Sequence, residues 1–171
     1  MKKYEFTGET KQVELLFRTA TLHRIKAVAE FGIVKVGDLG GWIEKEENLS
    51  HDGKAWVWGN AKVCDDAKVY GDAEVCGNAE VCGNAEVCDD AEVFSISHAL
   101  VIGPIGSRND FTTFFRDKDS EITVKCGCFL GKIDKFLEKV SGTHGDSKYA
   151  IVYRTAVEIA KQQIDLSEEK Q

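Results

Sequence analysis

The 171-residue sequence lacks the features that identify a membrane protein or a nucleotide-binding protein. No apolar run approaches the roughly 18 residues that suggest a membrane span. The N-terminal segment MKKYEFTGETKQVELLF has neither the continuous apolar stretch nor the small-residue cleavage site of a signal peptide. The glycine spacings GxGxxG and GxxxxGK(S/T) of phosphate-binding loops are missing as well. We therefore expect a cytoplasmic protein that does not enter a membrane and has no glycine-rich phosphate loop.

Positive charge is also scarce. The chain has 22 lysines and arginines against 29 aspartates and glutamates, which gives a formal net charge of −7. Residues 60–94 alone contain nine acids and two lysines, so the excess is concentrated there. A protein that binds nucleic acid directly needs a basic footprint. The charge distribution therefore argues against direct nucleic-acid binding.

The six cysteines do not have the spacing of a metal site. In a reducing cytosol they are expected to be thiols rather than disulfides, although their number is even. If residues eighteen positions apart overlie one another, as in a coil of three six-residue units, Cys64 stacks on Cys82 but Cys76 and Cys88 lie on other faces. Four thiolates then cannot converge as zinc requires. We therefore expect no disulfide, no metal and no cofactor.

The dominant feature of the chain is a six-residue repeat over residues 55–96, which reads AWVWGN AKVCDD AKVYGD AEVCGN AEVCGN AEVCDD AEVFSI. The alanine and valine of each hexad are two apart, so both point to one side of an extended segment. The glycine, asparagine and aspartate pairs that follow suit tight turns. A unit this small must stack on other copies to bury its apolar side. The predicted interior is lined by Val57, Val63, Val69, Val75, Val81, Val87 and Val93.

This repeat resembles the left-handed parallel β-helix of hexapeptide-repeat proteins, in which three hexads make one triangular coil. Residues eighteen apart then overlie one another, which sets Lys62 beside Glu80 and Lys68 beside Glu86 as opposite-charge neighbours. The same register predicts an outward apolar contact face made of Trp58, Cys76 and Phe94. Such a face is costly in water, so we expect a terminal segment or a second subunit of a homo-oligomer to cover it.

Five carboxylates crowd another part of the predicted coil, where rungs are only about 4.8 Å apart. They could be solvated surface acids, a docking surface for a cationic partner, or a calcium site, although a flat ladder of acids closes poorly around an ion. No lysine of the repeat balances them. Reversing the charges of Glu74 and Glu92 to lysine is therefore expected to preserve or raise the stability of the fold. The five are Asp72, Glu74, Asp89, Asp90 and Glu92.

The flanking segments predict an α+β fold in three parts. Residues 1–54 form a β-rich cap with a hairpin around Gly32 and a tight turn at GDLGGW, residues 55–102 form the β-helix, and residues 103–171 form a ββαα module. Its hairpin is predicted to turn at residues 117–120. Its helices carry the apolar stripes Ile133, Phe136, Leu137 and Val140, and Tyr149, Val152, Tyr153, Ala156, Ile159, Ala160 and Gln163.

The strings GDLGGWIEKEENLS, AWVWGNAKV, GPIGSRNDFTTF, CGCF and THGDSKYA occur in that order along the chain. With these motifs the chain resembles a family of uncharacterised hexapeptide-repeat proteins carried by bacteriophages, prophages and gut bacteria. The resemblance covers almost the whole chain. It implies a setting in a phage or mobile element and brings no catalytic residues.

Two catalytic hypotheses are weak. A hexapeptide acyltransferase could use His51 or His98, but the repeat makes fewer than three coils and offers no insertion for an acyl carrier. A nucleophile made from Cys128 and His144 would require the two to be adjacent, which nothing in the sequence indicates. We therefore expect no enzyme activity.

Three non-catalytic hypotheses remain open. The favoured one is an interaction protein that binds a host protein with a basic surface through the five acids. It could inhibit a nuclease or CRISPR effector by placing carboxylates where phosphates normally lie. The others are a structural or oligomerisation module and a pocket in the C-terminal module that sequesters a nucleotide. If the acidic face is only solvated, Arg108, Lys125, His144 and Tyr149 are the next residues to test.

Overall fold

The computed structural model describes residues 1–169 and shows a mixed α+β fold with several sheets and two helices. Three strands precede the repeat, namely β1 (Tyr4–Glu14), β2 (Thr19–Ala27) and β3 (Leu39–Ile43). Each hexad then contributes one two-residue strand. These are β4 (Trp56–Val57), β5 (Lys62–Val63), β6 (Lys68–Val69), β7 (Glu74–Val75), β8 (Glu80–Val81), β9 (Glu86–Val87) and β10 (Glu92–Val93).

The hexad strands pair in parallel with the strand three repeats along the chain. Strand β7 lies between β4 and β10, β5 pairs with β8, and β6 pairs with β9. The predicted register of eighteen residues is therefore confirmed, including the pairs Lys62 with Glu80 and Lys68 with Glu86. All seven repeat valines are at most 1% exposed and all seven repeat alanines at most 4%, which confirms the predicted interior.

The N-terminal strands extend one ladder of the repeat. Strands β1 and β2 are antiparallel, β3 is antiparallel to β2, and β3 pairs in parallel with β5, which gives the order β1-β2-β3-β5-β8. The tight turn predicted at GDLGGW is present only at its start, where Asp38 N donates to Lys35 O at 3.0 Å, whereas Gly40 and Gly41 lie within β3. A Cβ at Gly41 would lie 2.6 Å from Val57 Cγ1. Glycine is needed here because β3 packs closely on the repeat. The turn at Gly32 is present, closed by hydrogen bonds between Phe31 and Val34.

The C-terminal part contains a four-stranded antiparallel sheet and two helices. The strands are β11 (Ala99–Ile105), β12 (Asp110–Arg116), β13 (Ile122–Cys126) and β14 (Phe129–Lys132), in that order. The predicted turn at residues 117–120 is confirmed, since Ser120 N donates to Asp117 O at 3.0 Å. Two strands were not predicted. Because β11 begins at Ala99, residues 99–102 lie in this sheet rather than in the repeat.

The two predicted helices are present as α1 (Ile133–His144) and α2 (Lys148–Gln163). The stripe on α1 is confirmed at its buried positions, Phe136 and Val140. On α2 the buried side chains are Ala150, Tyr153, Ala156, Val157 and Ala160. The predicted stripe on α2 is displaced, because Val152 and Ile159 are exposed. Neither helix within residues 1–169 has the length and apolarity needed to cross a membrane.

Two main hydrophobic cores organise these elements. The larger runs from Tyr4 and Ile25 through the repeat valines and alanines to Phe115 of β12. The N-terminal strands and the repeat therefore share one interior. The second core packs α1 and α2 on the C-terminal sheet through Phe114, Phe136 and Tyr153. Neighbouring residues Phe114 and Phe115 face different cores, as alternation along a strand requires.

The prediction that the cysteines are all thiols is wrong for one pair. Cys64 and Cys82, which are eighteen positions apart in sequence, form a disulfide with Cα atoms 4.7 Å apart. The stacking of these two residues was expected from the period, and adjacent rungs bring their sulfurs within bonding distance. The free cysteines are Cys76, Cys88, Cys126 and Cys128.

Candidate functional site

The predicted apolar column forms the floor of an open groove along the repeat. Trp58 N donates to Val75 O at 2.7 Å and Cys76 N donates to Val93 O at 2.9 Å, which stacks the three side chains one above another. Trp58, Cys76 and Phe94 are each half-buried. The groove has a volume of about 940 Å³, at the upper end of the range for ligand sites. We call it the column groove; it is lined by Ile33, Trp58, Glu74, Cys76, Gly77, Asn78, Phe94, Ser95, Ile96, Glu168 and Glu169.

The rim of the column groove is acidic. Glu74 comes from β7, and Glu168 and Glu169 come from the segment after α2. Among residues 1–169, those that line the groove include three glutamates and neither lysine nor arginine. The rim also carries two exposed apolar side chains, Ile33 at 73% and Ile96 at 67% exposure.

A buried histidine attaches the C-terminal segment to this rim. His98 is fully buried, and its Nδ1 accepts a hydrogen bond from Phe94 N at 3.4 Å. Its Nε2 lies 3.1 Å from Glu168 Oε2, and its ring meets the Phe94 ring edge to face. Burial lowers the pKa of His98, although Glu168 opposes this. The lowered pKa favours a neutral imidazole, and within residues 1–169 its buried Nε2 makes no hydrogen bond of good geometry, although Glu168 Oε2 is close.

The expectation that the column would be covered holds only in part. The other side of Phe94 is occupied by Arg116, whose guanidinium lies 4.8 Å from the ring centroid. Trp58 packs edge to face on Trp56, with ring centroids 6.3 Å apart. The C-terminal segment reaches one side of the groove through Glu168. The floor between these contacts stays open to solvent.

The structure brings the five predicted acids together, but cations from both flanking regions meet three of them. Glu74 is paired with Glu92 across β7 and β10, as predicted. Lys54 lies 3.1 Å from Asp72, Arg116 lies 3.6 Å from Glu92, and Lys118 lies 2.5 Å from Asp90. The expectation that no cation balances this cluster is therefore wrong. The period of the repeat could not reveal these partners, because they lie outside it.

The turn between β12 and β13 supplies one of the cations that pair with the acidic cluster, Lys118. Asp117 bridges to Ala91, and Lys118 N donates to Asp90 O at 3.0 Å. Asp117 itself is buried. Burial raises the pKa of this carboxyl, but hydrogen bonds from Lys132, Thr123 and two backbone amides outweigh burial and leave the pKa lowered. A charged Asp117 thus holds the turn in the shape that delivers Lys118 to the acids.

A smaller polar cleft of about 380 Å³ lies where the repeat meets the C-terminal sheet. Two ion pairs lie within it. Lys45 lies 2.7 Å from Asp66 and Lys125 lies 3.2 Å from Glu86. These pairs neutralise four of the charged side chains in the lining, and the other three, Glu47, Lys68 and Asp110, include both signs of charge.

The two histidines considered for acyl transfer both have structural contacts. His51 stacks on Tyr4 with ring centroids 4.3 Å apart, and its Nδ1 accepts a hydrogen bond from Lys3 N at 3.3 Å. His98 is enclosed as described above. By contrast, Cys128 and His144 do line one pocket, of about 140 Å³, in the C-terminal module. No sequence pattern indicates that they are close, because their proximity depends on how α1 packs on the sheet.

The one group of possible metal ligands within residues 1–169 is Cys64, Asp65 and Cys82. The two sulfurs are joined to each other, and Asp65 pairs with Arg18 and accepts a hydrogen bond from Gly83 N at 3.0 Å. These atoms are already committed to protein contacts. No protein-family model matches this chain, and no curated protein matches it either.

Proposed function

We propose that the chain is a non-catalytic interaction protein whose repeat, a left-handed parallel β-helix, presents the column groove to a basic and apolar segment of a partner protein. The observation that carries this proposal is the combination of a half-buried aromatic floor, open to solvent, with a rim of three glutamates. Aromatic side chains at a groove floor are the usual anchors of protein interfaces. A lysine or arginine of the partner would meet the rim carboxylates while its aliphatic stem covers the floor.

The column groove supports this role better than the five-acid cluster does. Inhibition of a host nuclease or CRISPR effector by phosphate mimicry would require carboxylates available to the partner. Lys54, Arg116 and Lys118 already neutralise part of that face. Glu74 belongs to both surfaces, so a partner in the groove would still use one of the predicted acids. A phage-type setting makes a bacterial host protein the proposed partner.

The repeat is suited to this role because it is rigid. Every repeat valine and alanine is buried, and parallel hydrogen bonds hold each rung to the next. A preformed surface loses little conformational entropy when it binds. The electrostatic part of the attraction acts mainly on the association rate and weakens as salt rises.

The test is capture from a bacterial lysate with a matched pair of variants. Ile33→Lys with Ile96→Lys places two cations on the groove rim at exposed positions, so folding should be unaffected. Leu16→Lys with Phe17→Lys makes the same chemical change at the exposed tip between β1 and β2. Captured proteins are quantified by mass spectrometry at low and at high salt.

The wild type and the tip variant should retain the same bacterial protein, and the groove variant should lose at least about 90% of it because like charges meet across the interface. Retention by the wild type should also fall as salt increases. Equal capture by both variants, or loss in the tip variant alone, would exclude the column groove as the contact surface.

A further inference from the structure

The non-repeat motifs of the sequence converge on one pocket at the far end of the C-terminal sheet. The loop between β11 and β12 supplies Ser107 and Arg108 from GPIGSRNDF, and the turn between β13 and β14 supplies Cys128 from CGCF. The end of α1 supplies His144 from THGDSKYA. In a sheet with the order β11-β12-β13-β14, these two connections lie at the same end. We call this site the C-terminal pocket.

The wall of the C-terminal pocket is apolar and aromatic. Phe136 and Tyr153 are buried and meet edge to face with ring centroids 5.6 Å apart. His144 stacks on Tyr153 at 5.8 Å. The pocket volume is about 140 Å³, which is smaller than a drug-sized site and suits a body of about one ring.

Two cationic side chains line this pocket and form no ion pair within the part of the chain that the structure describes. Within residues 1–169, neither Arg108 nor Lys139 has an ion-pair partner, and no carboxylate lines the pocket. This is unusual in a chain with a net charge of −7. Arg108 lies over the turn between β13 and β14, because a Cβ at Gly127 would be 3.0 Å from its Nη1. Gly127 has a φ of +56°, a left-handed conformation that favours glycine, and the turn brings the backbone here close to the guanidinium.

Hydroxyl groups complete the polar side of the pocket. Ser107 and Thr143 lie in the lining, and the Tyr153 hydroxyl lies against the loop that carries Ser107, since a Cβ at Gly106 would clash with it. Burial raises the pKa of Tyr153, and Cys126 adds to this, so the phenol keeps its proton and can donate. The carboxyl end of α1 contributes partial negative charge nearby. The positive character of the pocket therefore depends on Arg108 and Lys139.

We propose that the C-terminal pocket binds a small organic anion that carries one phosphate or carboxylate group on an apolar body of about one ring. The ring would pack against Phe136, Tyr153 and His144, and the anionic group would face Arg108 and Lys139. Arginine and lysine both bind phosphate and carboxylate through charge-assisted hydrogen bonds. This site is separate from the column groove and does not depend on the partner proposed for it.

The test uses phenyl phosphate as the probe and Cys128 as the reporter. Cys128 is an exposed thiol in the pocket lining, whereas Cys76, which is also outside the disulfide, lies in the column groove. The rate at which iodoacetamide alkylates each thiol is followed by mass spectrometry in buffer without phosphate. At a probe concentration ten times its Kd, alkylation of Cys128 should slow about tenfold. Alkylation of Cys76 should not change.

The variant Arg108→Gln with Lys139→Gln removes both charges at exposed positions and should abolish protection of Cys128. Lys135→Gln removes one charge from the same helix at a site paired with Glu138, and should leave protection intact. The Cys76 rate reports whether each variant is folded. Benzyl alcohol serves as the neutral probe of similar size.

The proposal is overturned if phenyl phosphate fails to protect Cys128 at 10 mM, about the concentration expected to saturate a millimolar site. It is also overturned if the double variant is protected as well as the wild type, or if benzyl alcohol protects equally. Protection by inorganic phosphate alone at the same concentration would remove the apolar body from the ligand assignment.

Discussion

Glu92 shows how a residue outside the repeat can pair with a charge within it and so change the effect of that charge on stability. Its carboxylate lies 3.6 Å from Arg116, whose side chain is only 7% exposed and is also held by Ser120 Oγ at 2.6 Å. Paired in the coil with Glu74, Glu92 looks from sequence like a source of repulsion. In the folded chain it is the anion that a buried guanidinium requires.

Reversing this charge should therefore destabilise the protein. Glu92→Lys would set an ammonium beside buried Arg116, and an uncompensated buried charge costs about 3 kcal/mol or more. Glu80→Gln is the control, because Glu80 pairs with Lys62 at an exposed site where the loss is roughly 0.5 kcal/mol. Urea unfolding of both variants measures the difference. If Glu92→Lys were as stable as the wild type, the contact with Arg116 would not contribute to folding.

Contacts within the repeat could be predicted from sequence, whereas contacts between modules could not. The pair Lys62 with Glu80 follows from the period of eighteen alone, because stacking fixes which residues meet. The contacts of Arg116 and Lys118 depend on where the turn after β12 docks. That docking is set by packing of Phe115 into the repeat core, and no local sequence pattern encodes it.

At the scale of the elements, a disulfide joins Cys64 and Cys82, which directly follow the paired strands β5 and β8. These cysteines were expected to be thiols. A disulfide across eighteen residues lowers the entropy of the unfolded chain and contributes about 3 kcal/mol. Reductant should therefore lower the unfolding midpoint of the wild type. Cys64→Ser with Cys82→Ser should start at the lower midpoint and not respond to reductant, while the parallel pairing keeps it folded.

Calorimetry with and without reductant measures both effects, and the double variant controls for the four free thiols. A wild-type midpoint that does not respond to reductant would mean that Cys64 and Cys82 are thiols in the purified protein, as the sequence indicated. Disulfide formation depends on the redox state of the compartment as well as on geometry, and the expectation of thiols followed from a reducing cytosol.

The regular elements were easier to predict than the irregular ones. Hexad period and helical spacing gave the valine interior and both helices, because each pattern repeats several times. Strand β11 and the four-residue strand β14 were missed, since each flanks a glycine-containing turn and neither shows clear alternation. The stripe on α2 was displaced because Val152 and Ile159 are apolar yet exposed, and only packing against α1 and β11 decides which face is inside.

At the scale of the whole molecule, the flanking regions cover parts of the repeat and leave the column groove open to solvent. The N-terminal strands continue the ladder of β5 and β8, and the C-terminal module covers part of the acidic face through residues 117–120. The column groove lies between these coverings. A rigid repeat with a half-buried aromatic floor beneath a rim of three glutamates is the feature that our proposal explains.

The three tryptophans allow a direct test of where a partner binds. Trp58 lies in the column groove, Trp56 is buried beneath it, and Trp42 lies on another ladder under Lys11 and Arg24. Each indole N–H gives one resonance in a ¹⁵N correlation spectrum, which single Trp→Phe variants assign. Spectra are recorded as the captured bacterial protein is added.

The account predicts that the Trp58 indole signal shifts progressively with added partner and that the Trp42 signal stays in place. Raised salt should return the Trp58 signal towards its free position, because the rim carboxylates are screened. Binding seen by calorimetry with an unchanged Trp58 signal would contradict the account and would place the contact surface elsewhere on the molecule.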